Sequence, residues 1–437
     1  MSLVVSFKNN SGHSAKDVYI GFVAGASTPF AVSGSNGSLR PVSAGNGFPF
    51  SGNWYSLDSL GGAVNISALI GRIYVCYGQP WSVQAASYEP AQNPSDPNFY
   101  LRYDFMNISY TGHPGDSAAM TAFEYWSIPL SLSTKMNGSP VASLSGLRNG
   151  ATANTLYQEL KALTSPPVSG VDGPGGTNGT AIPAVVPGDY QQAPGGPAPG
   201  SSFARVLGPR AYPSFLPAPS GIPVMPYDTL ESYLNYLNDK FGQSTEKDQY
   251  GLGKGTCCFI KGTYSGTGDV YSLEGQIGMS GSKLTLRLAG SSSIAGDITM
   301  LYEHDSLVNP LGLYGGDAPF KLNGQQTMTP SNNLYGRIAS DFFAGLSIGA
   351  VGSETVIENT PVKAMSSTDW FSQIPVDQMY GGLQSNANYY NQWAAIITEK
   401  TQDYGFSYND RIDSVQINLN PQKVNELEVT LEEDNVN

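Results

Sequence analysis

Of the 35 acidic residues in the chain, Glu124 has the setting that most suggests chemistry. It sits between Phe123 and Tyr125 in an apolar run. A carboxylate is costly to bury there without a partner, and ordinary if that strand face meets water. Facing a cleft, it is suited to acid–base work. Further acids lie within reach along the chain. Asp104 is in the neighbouring apolar run and Asp116 in the turn between the runs. Glu89 and Asp96 are in the loop Ser87–Asn98, and Asp410 is near the C-terminus. Each of these alone is more ordinary as a surface or turn residue. Metal chemistry is not expected: there are three histidines, three cysteines (Cys76, Cys257, Cys258) and no CxxC pair. No cofactor is expected either. The cysteines read as small buried hydrophobes, with Cys257 and Cys258 on alternate faces of a strand and a link to Cys76 left open.

The elements that position these residues come from the aromatic runs. Phe99–Tyr110 and Met120–Leu132 flank Thr111–Asp116, which carries Gly112, Pro114 and Gly115. Two neighbouring strands around a turn are predicted. Leu3–Phe7, Val18–Val23, Trp54–Leu57 and Arg72–Tyr77 add short strands at the spacing of a sandwich or barrel. The second half predicts strands between Gly255 and Leu301. Helices are predicted at Leu156–Leu163 (Thr155 and Gln158 as its capping box), after an Asp228 N-cap, over Leu334–Leu346 and over Asn388–Lys400. Residues 165–201 are mostly Pro, Gly, Ser, Ala and Thr, and read as a flexible insert with too little bulk to bury. GLGKGT at 251–256 lacks the phosphate-loop spacing and reads as a turn. The acidic tail 432–437 is expected to fray.

Composition agrees with a β-rich protein: 51 Gly, 30 Pro, 26 Tyr and only 13% charged residues. The net charge of −13 disfavours nucleic acid as a partner. No run approaches the roughly 18 apolar residues of a membrane span. The N-terminus MSLVVSFKNN reads as a strand start rather than a signal peptide.

Several segments, in order, resemble glycoside hydrolase family 64, the thaumatin-like β-1,3-glucanases. The family has a strand ending Glu-Phe-Thr, here Asn107-Ile108-Ser109. It has a second strand Thr-x-Val-Asp-Phe-x-Gly-Ile-Pro-Leu, here Thr121 to Leu130 with Glu124 at the acid. Gly71-Arg72-Ile73-Tyr74, Arg205-Val206-Leu207-Gly208-Pro209 and Tyr404–Asp410 resemble further family segments. The resemblance covers most of the chain outside 165–201.

The resemblance implies a fold, a site and a ligand. The fold is mainly β: a thaumatin-like sandwich or barrel over 1–150, completed by 402–437, with a mixed α/β domain over 203–401 and a wide groove between them. Glu124 falls where the family has its general base. Asn107 falls where it has its general acid, yet an amide has no proton to give a leaving oxygen. Asp104 precedes Asn107 by three residues and faces the other side of a regular strand. Asn107, Ser109, Thr121 and Asp410 are candidates for holding sugar hydroxyls. Trp126 and Tyr103 are candidates for packing against pyranose rings, as are Trp81, Tyr110 and Trp54, although core packing suits most of these rings. The implied partner is β-1,3-glucan or a related polysaccharide, and the implied location is extracellular. Three functions fit: an inverting glucanase with a relocated acid, a glucan-binding protein that has lost catalysis, and a secreted interaction protein on the same fold. A carboxylate beside Asn107 and facing Glu124 separates the first from the others.

Overall fold

A computed structural model describes residues 2–24, 30–34, 54–81, 88–92, 96–164, 184–188, 202–211, 227–243, 255–280, 282–309, 312 and 314–436. The chain divides into two compact units. The first comprises 1–211, 396–405 and 414–437; the second comprises 212–395 and 406–413.

The first unit is organised on the 15-residue strand Ala63–Tyr77. Leu3–Asn9, Phe30–Gly34, Val18–Ala24 and Tyr103–Tyr110 all pair with it, each antiparallel. One strand can serve four partners because each half pairs on both edges: Leu3–Asn9 and Phe30–Gly34 flank residues 63–69, and Val18–Ala24 and Tyr103–Tyr110 flank residues 69–77. Gly71, at the join, has no room for a side chain: a Cβ would lie 2.0 Å from the Val23 carbonyl oxygen. Glu426–Leu431 pairs in parallel with Leu3–Asn9 and antiparallel with Leu130–Met136. The resulting 11-stranded sheet curls so that Ile417–Asn418 and Ser117–Met120 approach Leu130–Met136. Alternating apolar residues point inward, among them Ile73, Val75, Met106, Ile108, Leu132 and Val429.

The second predicted strand is broken. Ser117–Met120 belongs to the large sheet, while Tyr125–Trp126 pairs with Ser202–Leu207 in a small three-stranded sheet. The third member of that sheet is Val185–Gly188, inside the stretch read as a flexible insert. Val186 is fully buried there. Two valines were enough to make a strand where composition argued against one; the rest of 165–201 lies outside the described residues.

The tail does not fray. Asp434, whose side chain is fully buried, pairs with Arg102 at 2.6 Å, and the Val436 carbonyl accepts from the same guanidinium. The first helix runs Ala153–Ala162, capped by Thr152 with Thr155 rather than by Thr155 with Gln158. Asp228 does not cap its helix. Its carboxylate accepts from the Leu230 N–H, Leu230 has φ 56°, and the helix Glu231–Leu237 begins after that turn.

The second unit carries a six-stranded antiparallel meander from Thr256–Tyr264 to Gln326–Met328. The helix Leu334–Ser347 packs on it, with Phe342 and Phe343 against Tyr302. Cys257 and Cys258 are both buried rather than alternating, because the ladder skips a residue between Thr256 and Cys258. All three cysteines are free thiols. Among the described residues no helix is long and apolar enough to cross a membrane. Residues 251–254 of the Gly-rich stretch lie outside the described residues.

Candidate active site

Arg72 and Asn107 are directly opposite on adjacent strands, so their side chains share one face of the sheet. Tyr74 and Phe105 are the next pair on that face. Toward Tyr103 the face is closed: Trp81 and Tyr103 are fully buried, and Arg205 lies 4.3 Å over the Tyr103 ring. Arg205 gives its guanidinium to the carbonyls of Phe99 and Leu101 and to Gln92, which explains a wholly buried arginine. Toward Asn107 and Ser109 the face opens, and both residues are part-exposed.

At the open end Arg72 joins several groups. Its Nε donates to Asn107 Oδ1 at 3.2 Å and its Nη1 to the Tyr74 hydroxyl at 3.1 Å. The Glu89 Oε1 lies 3.1 Å from the same Nη1 and accepts from Tyr74 at 2.9 Å. The guanidinium also covers the Phe105 ring at 4.2 Å. Burial pushes the Arg72 pKa down, but Tyr74, Glu89 and Glu124 outweigh it and hold the group firmly protonated.

Glu124 occupies the bend where the chain leaves the large sheet for the small one. The Glu124 carbonyl accepts from the Gly208 N–H at 2.8 Å, and its Oε1 pairs with Arg210 at 3.0 Å. Arg210 in turn lies 5.1 Å over Phe123. Both side chains of that pair are 26% exposed. Two carboxylates, Glu89 and Glu124, thus act on one arginine, with Asn107 bound to it.

The other acids are engaged elsewhere. Asp104 faces inward, as its position relative to Asn107 predicts. Its Oδ2 accepts from the backbone N–H groups of Ser127 and Ile128. Burial pushes its pKa up to about 7 against those hydrogen bonds. Asp403 stands nearby, fully enclosed, and its carboxyl is pushed well up by burial and then by Asp104. Asp116 accepts from the N–H groups of Thr111, Gly112 and His113, closing the predicted turn. Asp96 accepts from the Tyr88 hydroxyl, Ala91 N and Asn98 N. Asp410 is exposed and belongs to the second unit.

Six proposed ligand contacts need correction. Tyr103 is fully buried and Trp126 is 1% exposed, so neither ring has a free face. Trp81, Tyr110 and Trp54 are core residues in the same way. Thr121 is also buried, in a bridge to Tyr404. Arg72 and Arg210 were missed as site residues. Arg72 had a signal, being a lone charge in the apolar run Ile70–Tyr77; Arg210 had none. In the second unit, Tyr264, Asn332, Arg337, Tyr408 and Arg411 help line an open polar cavity of about 320 Å³.

Comparison with known proteins bears on the family and the fold. Residues 1–197 match the model of glycoside hydrolase family 64, β-1,3-glucanase. A laminaripentaose-producing β-1,3-glucanase solved with laminaritetraose is similar at 16% identity and a TM-score of 0.53, over 99% of both chains. The β-1,3-glucanase domain of Clostridium beijerinckii is similar at 14% identity and a TM-score of 0.54, over 99% of this chain and 98% of that one. No curated protein matches the chain in sequence.

Proposed function

We propose that this chain, whose residues 1–197 match the model of glycoside hydrolase family 64, acts on β-1,3-glucan as an inverting hydrolase. The observation that carries the reading is the cluster on Arg72. It brings the residue at the family's general-acid position, Asn107, together with two carboxylates. Inverting hydrolysis needs two carboxyl groups roughly 6.5–9.5 Å apart, one to activate water and one to protonate the leaving oxygen.

Glu124 is the base in this reading. As a carboxylate it takes a proton from water while the water oxygen bonds to the anomeric carbon from the face opposite the leaving sugar. Arg210 fixes its orientation, and the Gly208 N–H fixes the bend that carries it. Asn107 binds rather than reacts. Its Oδ1 is taken by Arg72, leaving its amide N–H groups to donate to a sugar hydroxyl. Ser109, two residues on along the same face, is a second hydroxyl partner. Because the substrate is an extracellular polymer, we also place the protein outside the cell.

The test is release of oligosaccharides from soluble β-1,3-glucan by the purified chain. Glu124→Gln is expected to lower the rate by about 10²–10⁴, the usual share of a general base. Asn107 favours a second reading, a glucan-binding protein without turnover. Retention on insoluble glucan with no released product from the wild type establishes that reading and removes the first.

A further inference from the structure

We propose that Glu89 is the proton donor of this site, supplying the carboxyl group that Asn107 lacks. The inference rests on the hydrolase reading above and deepens it. The other candidate acids of this unit are engaged elsewhere. Asp104 lies on the inner face and holds three backbone N–H groups. Asp116 and Asp96 are spent on their own turns. Asp403 is enclosed beside Asp104. Of the first unit's acids named above, Glu89 remains beside the base Glu124.

Its placement then argues for it directly. One guanidinium spans the distance between Glu89 and Asn107, with Nη1 at 3.1 Å from the first and Nε at 3.2 Å from the second. The acid has therefore moved by about the width of an arginine head from the family's position. Oε1 takes both fixed contacts, from Arg72 and from the Tyr74 hydroxyl. Oε2 has no hydrogen-bond partner among the described residues and is available to carry the proton. The side chain is 39% exposed, so a substrate can reach it. The same two contacts hold the carboxyl in one orientation, which a donor requires.

The step balances. Glu89, a carboxylate beside Arg72 in the free chain, first takes a proton from solvent on Oε2; the C1–O bond to the leaving sugar then breaks and that proton goes to the leaving oxygen, returning Glu89 to its carboxylate. A water oxygen bonds to C1, and its proton goes to Glu124. Arg72 and Tyr74 stabilise the carboxylate that forms on Glu89, so their interaction strengthens as the proton leaves. Proton exchange with solvent resets both acids.

The experiment compares two substrates: soluble β-1,3-glucan, and a 2,4-dinitrophenyl β-laminarioligoside whose leaving group needs no proton. Glu89→Gln is expected to lose about 10²–10⁴-fold on the glucan and to stay near wild type on the activated substrate. Glu124→Gln is expected to lose activity on both. Parallel loss on both substrates in Glu89→Gln, or full glucan hydrolysis by that variant, overturns the assignment while the hydrolase reading stands. A wild-type chain that cleaves neither substrate overturns both.

Discussion

Each unit of the molecule holds a cluster of arginine, carboxylate and tyrosine, and the two differ in where the carboxylate stands. In the first unit Arg72 meets Glu89 and Tyr74, and the Glu89 side chain is 39% exposed. In the second, Arg337 and Arg411 approach Asp341 at 3.5 and 3.4 Å, and the Tyr271 hydroxyl donates to it at 2.5 Å. The Asp341 side chain is only 2% exposed. Burial pushes its pKa up against the pull of the two arginines and Tyr271. The same chemical groups serve two purposes. A buried carboxylate shared by two arginines ties the return segment 406–413 to the helix Leu334–Ser347. A part-exposed carboxylate held at one oxygen leaves the other facing solvent in the reading proposed above. Solvent access, not residue type, separates brace from site.

The contrast can be broken by mutation. Asp341→Ala leaves two partly buried guanidiniums without their carboxylate and should cost about 3–5 kcal/mol in urea unfolding. A loss below about 1 kcal/mol would make the second cluster as expendable as a surface pair. Asp104 is the intermediate case, a buried carboxyl in the unit that holds the site. Its pKa is about 7 in the folded chain and roughly 3.9 when unfolded. The folded state therefore holds the proton that the unfolded state gives up. Stability from this group is complete below about pH 4 and declines by up to about 4 kcal/mol as pH rises to about 7. Asp104→Asn should flatten that decline, read as the change in unfolding free energy between the two pH values. The smallest effect should come from the site itself. The Glu124–Arg210 pair is a quarter exposed, so Glu124→Gln should shift stability by less than about 1 kcal/mol while removing hydrolysis. Unfolding of that variant at wild-type denaturant but with wild-type rate on glucan would place the site elsewhere.

Much of this was legible in the sequence because it depends on neighbours along the chain. The turn at Thr111–Asp116, the inward Asp104, the helix Leu334–Ser347 and the ordered family segments all follow from local pattern. Other features were not legible, for identifiable reasons. Val185–Gly188 is a strand only because Ser202–Leu207 offers it an edge. The tail is ordered only because Arg102, far upstream, needs a buried counter-charge. Tyr103 and Trp126 looked like sugar platforms because an aromatic ring reads alike in a core and in a cleft.

By itself the sequence determines that Glu124 sits in an apolar run, that an amide stands at Asn107, and that a β-strand carries Asn107. Only the tertiary structure decides that Glu124 lies on a bend between two sheets, and that Glu89 returns to stand beside Asn107. Those facts depend on strand register and loop return, which are set by pairings between distant segments. An acid in a loop has no periodicity to betray where its carboxylate will end up.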